Sequence, residues 1–178
     1  TMNSSGFDMT QMLPSALVAG PVFGLVAVLF MIAIRYAARF AATSGWSPAR
    51  LLFVAAIITG LTGTAVPEVL GLGTGPLAHM LEGGFEIEFL AVLLVLKLLL
   101  TALCIGFGMF GGVFSPALFV GAATGAICGR IIAAIGIIGA APTLAICGMA
   151  AVASAVIGAP VSGVVIILEM TMSYEFAL

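Results

Sequence analysis

Residues 9–34 carry no charge and are mostly apolar, a stretch longer than the roughly 20 residues a helix needs to cross the hydrocarbon core of a bilayer. A spanning helix is predicted there, with Pro14 near its start. The pattern then turns polar: Arg35, Arg39 and Arg50 flank the turn at 43–48 with no acid among them, which predicts a cytoplasmic loop and puts the start of the chain on the outer side. The next apolar run, 51–64, is short, and Gly60, Gly63 and Pro67 predict a break before it crosses. Residues 67–76 read as turn material and 77–82 as a short helix. Glu82, Glu86 and Glu88 predict a solvent-facing loop, after which 89–107 is the next span, with Lys97 at its middle.

Small residues punctuate the rest of the chain. Gly111 and Gly112, followed by Val113, Phe114, Ser115 and Pro116, predict a tight turn into a helix, since glycine frees the backbone and proline presets a first helical turn. That helix is predicted over 113–138. Within it Gly121, Gly125 and Gly129 fall at every fourth residue and share one face, which predicts close packing on another helix. Gly136 and the segment 139–142 end it, 143–156 forms a further short helix, and Gly158, Ala159 and Pro160 restart one that runs to about Thr171. Tyr174 reads as an interfacial anchor, and the C-terminal end reads as cut within an opening element.

Composition sharpens the class. Of the residues 63% are hydrophobic and 7% charged, with a mean hydropathy of +1.36, whereas a soluble domain carries charge on about a quarter of its residues. The fold class predicted is therefore all-α, a polytopic membrane protein. Twenty-three glycines and eight prolines point to short, broken and re-entrant helices rather than a row of plain spans. A net charge of -2 with no basic run leaves no case for nucleic acid as a partner. Residues 1–11 hold Asp8 and no positive charge, so no secretory signal is expected there. Cys104, Cys128 and Cys147 show no CxxC or Cys/His spacing; they read as small buried hydrophobes, and no metal site is expected.

The chemistry worth weighing sits at the 111–116 turn. Amides that open a helix have no partner within it and carry partial positive charge, so they suit an anion. No charged residue lies between Lys97 and Arg130, and backbone amides in such a setting attract a permeant anion without a fixed cation that would retain it. A plain loop with a proline at the first helical position is the competing reading. Phosphate cradling lacks a Lys followed by Ser or Thr after the glycines. A serine nucleophile at Ser115 lacks a base, because His79 is the only histidine and lies in another loop, so no enzyme and no cofactor are expected. Lys97 and Glu169 are the ionisable residues placed at membrane depth. Each is a candidate for a proton path, an ion pair or electrostatic tuning, against snorkelling or structural pairing.

The run 111–122 closely resembles the G-x-F-x-P anion-binding segment of the CLC chloride channels and proton/chloride antiporters. Gly148, Met149, Ala150 and Ala151, then Ala159, Pro160, Val161, Ser162 and Gly163, and finally Glu169, Met170 and Thr171 resemble later stretches of that family in the same order. The resemblance implies one half of an inverted-repeat helical fold, with 1–178 as the second, C-terminal half of the transmembrane domain, truncated before the final helices. It implies chloride as the transported ligand, bound by amides at Val113, Phe114 and Ser115, with Gly112 allowing the turn and Pro116 opening the helix. It further implies a homodimer with 160–171 at the interface, and a prokaryotic inner membrane as the setting. The family's serine loop and gating-glutamate loop have no counterpart, so a missing N-terminal half is an implied partner, and channel and proton-coupled antiporter both stay open. The alternative reading is a non-transporting structural half-subunit that packs against a partner chain.

Overall fold

In the computed structural model the residues described are 9–71, 73–81, 84–134, 140–163, 165 and 169, and among them every regular element is helical. The order is α1 (Met9–Thr43), α2 (Pro48–Ala65), a 3-10 turn (Pro67–Val69), α3 (Thr74–Leu81), α4 (Ile87–Gly106), α5 (Phe114–Ala134) and α6 (Ala140–Ile157). Helical backbone resumes at 160–163. The expectations attached to Asp8, Glu82, Gly136, Thr171 and Tyr174 lie outside the described residues.

Among the described residues four helices are long and apolar enough to cross a membrane: Leu17–Thr43, Pro48–Ala65, Ile87–Gly106 and Phe114–Ala134. α1 runs past the expected end at 34 and carries Arg35 and Arg39 in its last turns. Its final carbonyls are closed by side chains, with the Thr43 hydroxyl donating to Arg39 O (3.0 Å) and the Ser44 hydroxyl to Ala41 O (3.0 Å). Gly45 then takes φ +66°, and Pro48 starts α2 at a position where a missing N–H costs nothing.

The break expected inside the second apolar run does not occur. α2 continues through Gly60 and Gly63 for 18 residues and stops only before Pro67. A single glycine within a helix costs about 1 kcal/mol, too little to end it. Gly63 has a packing reason as well, because the Leu70 side chain occupies the space a Cβ would need. α3 begins three residues earlier than expected, after Gly73 at φ +73°, whose carbonyl accepts from Leu77 N–H at 2.8 Å.

α5 is the centre of the packing, with an unbroken buried run from Ala117 to Ala126. The predicted glycine face meets α6: a Cβ on Gly121 would strike the Gly148 carbonyl, and one on Gly125 the backbone of Leu144 and Ala145. α1 contributes a stripe of Ala19, Phe23, Ala27 and Phe30, one side of a helix, to the same core. Two contacts seat α4 on α1. Gly106 lies where a Cβ would strike Ala37, and the Phe107 and Phe40 rings stack with centroids 6.2 Å apart.

Candidate functional site

The approach to α5 is set at the end of α4. Gly108, at φ +90°, donates to Ile105 O (3.1 Å), and Met109 N–H reaches back to Cys104 O (2.9 Å). This is a Schellman arrangement, in which a left-handed glycine closes the last carbonyls of a helix. The sharp reversal is therefore made at Gly108. Gly111 and Gly112 are not in the left-handed region, and a Cβ on either would meet open space. Both are exposed, in backbone that a side chain could also adopt.

The first rung of α5 is the Ala117 N–H to Val113 O bond at 3.1 Å. Phe114 is thus the first helical residue and Pro116 the third, so the helix opens two residues before the proline expected to open it. The proline ring still falls in the first turn, where no intrahelical N–H is required. Val113, Phe114, Ser115 and Pro116 are all half-buried.

A cavity of about 180 Å³ lies beside this start. Its walls are Thr59 of α2, Val69, Leu70 and Gly71 of the following loop, Lys97, Leu100, Thr101, Cys104 and Ile105 of α4, and Gly111, Gly112 and Pro116. The structure thus brings three of the candidate residues, Gly112, Pro116 and Lys97, onto one cavity. Among the described residues Val113, Phe114, Ser115 and Glu169 are not part of its lining; Glu169 is exposed on helical backbone.

Lys97 is buried, and its ammonium is satisfied by backbone. Nζ donates to Val69 O (2.7 Å) and Gly71 O (2.9 Å) and lies 5.0 Å from the centre of the Phe119 ring. An ammonium leaving water needs such partners, and two carbonyls and an aromatic face supply them. The loop is shaped to deliver them: Gly71 takes φ +64° and Gly73 φ +73°, and the Phe119 ring fills the place of a Cβ on Gly73. Of the readings given for Lys97, snorkelling does not describe a head group turned into the protein.

Sequence reasoning missed the cavity wall opposite the turn. Thr101 and Cys104 follow Lys97 at helical spacing on the same face, a signal that was available, and Thr59 Oγ1 lies 3.3 Å from Cys104 Sγ. The carbonyls of Val69 and Gly71 had no sequence signal beyond the glycine-rich loop. All three cysteines are half-buried rather than fully buried. His79 packs its ring on Phe85, with centroids 4.7 Å apart.

Among the described residues, four helices long and apolar enough to span, one of them carrying a buried lysine held by backbone carbonyls, fit an integral, multi-pass membrane protein. The sequence pattern of the family described as voltage gated chloride channel matches residues 3–178, and the chain belongs to that family. It is 34% identical over 130 residues to a putative chloride channel protein ClcB-like of Ralstonia nicotianae, covering 71% of this chain and 30% of that protein. It is 32% identical over 170 residues to the H(+)/Cl(-) exchange transporter ClcA of Yersinia pestis, covering 91% of this chain and 35% of that protein. The protein of the same name in Vibrio campbellii matches at 32% over 170 residues, 91% of this chain and 36% of the relative. The chain thus spans about a third of the length of these relatives.

Proposed function

We propose that this chain forms one wall of a chloride pathway, with the anion held at the first turn of α5 by the backbone amides of Val113, Phe114 and Ser115. The observation that carries the reading is that α5 opens at Phe114 beside a space kept clear by Gly111 and Gly112. The peptide dipoles of this 21-residue helix add up to partial positive charge at that end. Such a charge is worth more away from bulk water, and it holds an anion loosely enough to release it. Gly112 leaves room for the ion, and Pro116 keeps the first turn in helical geometry. The names of the relatives, a chloride channel and a proton/chloride exchanger, supply chloride as the anion. Their bacterial sources support a prokaryotic inner membrane, and the share of their length that is covered fits a pathway completed by further chain; a homodimer belongs to the same proposal.

The test is chloride efflux from liposomes holding the intact protein. Gly112→Val, which fills the cleared space, combined with Phe114→Ala should lower flux per folded protein at least about tenfold, a loss of roughly 1.4 kcal/mol at the site. Flux unchanged in this double variant would refute the amide site. Proton movement opposite to chloride, read with a pH dye in the same vesicles, identifies an exchanger; chloride movement without it identifies a channel. No flux from the unaltered intact protein would leave the structural half-subunit as the better account.

A further inference from the structure

We infer that Lys97 is a positioning residue for the anion turn: it sets where the first turn of α5 stands without touching the ion. The inference rests on the reading of the 112–116 turn given above.

Three pieces of chain meet at one ammonium. Lys97 projects from the middle of α4, its Nζ holds the carbonyls of Val69 and Gly71 in the loop after α2, and its remaining face lies over Phe119 of α5. An ammonium has three N–H bonds. Two are taken by carbonyls, and the Phe119 ring stands over a further side of the ammonium, its centre 5.0 Å from Nζ, so the head group is engaged by protein on three sides.

The consequence for α5 follows from helix stiffness. Phe119 lies five residues beyond Phe114, about 7.5 Å along the axis at a rise of about 1.5 Å per residue. A helix moves as a unit over that distance, so the position of Phe119 fixes that of the first-turn amides. Phe119 is itself enclosed: it is fully buried, it lies under the Lys97 ammonium, and its ring packs against Gly73 in the same loop that supplies the two carbonyls. Removing the ammonium releases the Val69 and Gly71 carbonyls from α4 and removes the cation from the ring together. The cavity beside Gly112 and Pro116 is bounded by this same set, with Lys97, Val69 and Gly71 on its wall, so a shift in the clamp is a shift in the space before the turn.

The test compares Lys97→Met, Lys97→Arg and Phe119→Leu in the intact protein reconstituted in liposomes, reading the chloride concentration at half-maximal flux and the chloride-to-nitrate flux ratio. A role in folding alone lowers the amount of active protein and moves neither quantity. Lys97→Met should raise the half-maximal concentration about tenfold and reduce discrimination between the two anions. Lys97→Arg, which keeps the charge and the donors, should return both to within about threefold of the unaltered protein. Phe119→Leu leaves the ammonium and its carbonyl bonds in place and should shift both quantities in the direction of Lys97→Met; it carries the test if Lys97→Met does not accumulate.

Unchanged values in Lys97→Met and Phe119→Leu would overturn the proposal, and so would equal shifts in the Met and Arg variants. A shift in Lys97→Met with none in Phe119→Leu would also overturn it, because the lysine would then act on the ion by its charge. The Gly112→Val, Phe114→Ala double variant separates the two levels. If its half-maximal concentration moves while those of the Lys97 and Phe119 variants do not, the amide site stands and the positioning role falls.

Discussion

At Gly108 the backbone takes φ +90°, a region where a side chain collides with its own carbonyl, and the Schellman bonds from Gly108 and Met109 depend on that geometry. Gly108→Ala should therefore cost about 1–2 kcal/mol. Gly112→Ala meets no neighbour and no forbidden φ, so it should stay within about 0.5 kcal/mol of the unaltered protein. Thermal unfolding in detergent checks the pair, with a clear fall in midpoint for Gly108→Ala and almost none for Gly112→Ala. The contrast also shows what the sequence hides about Gly108. Gly111 and Gly112 sit together before an aromatic and a proline and draw the eye, whereas Gly108 is followed by Met109 and Phe110, so the apolar run does not stop where the helix does. Lys97 was legible as an outlier in an apolar span. Its partners were not, because backbone carbonyls leave no mark in side-chain chemistry.

Between elements, the contact that decides the architecture is α5 on α6. Gly121 and Gly148 face each other, each with the other's carbonyl where a Cβ would stand, and one turn further on Gly125 abuts the backbone of Leu144 and Ala145. Membrane helices gain little from the hydrophobic effect against one another, so close backbone approach and van der Waals contact hold such a pair. Gly125→Ala should cost about 1–3 kcal/mol, because the obstructing atoms are backbone and cannot rotate away. Gly125→Leu should leave no folded protein on size-exclusion chromatography in detergent; a normal monodisperse peak would contradict the close-packing account. This contact was legible because a four-residue glycine period maps directly onto one helix face. α2 was not, since Gly60 and Gly63 read the same on paper whether a helix breaks or a neighbour such as Leu70 needs the room.

Across the whole molecule, the distribution of charge predicts which way the bundle faces. Arg35 and Arg39 lie in the last turns of α1 and Arg50 in the first turn of α2, all exposed, with only residues 44–47 between the helices. Each such cation near an anionic leaflet is worth about 1 kcal/mol, and no acidic residue stands among them to offset it. Trp46, exposed in the connection, suits the headgroup level. The connection is accordingly expected on the cytoplasmic side, and because Gly106 at the end of α4 and Phe107 just after it pack beside Ala37 and Phe40, α4 ends toward the same side and delivers the chain to the α5 start from there. Ser47 offers a clean probe, being exposed and making no side-chain cap to α2. With Cys104, Cys128 and Cys147 replaced by alanine, a cysteine introduced by Ser47→Cys should react with a membrane-impermeant maleimide only after the cells are permeabilised. Labelling in intact cells would invert the orientation and place the entrance to the α5 turn on the opposite face of the membrane.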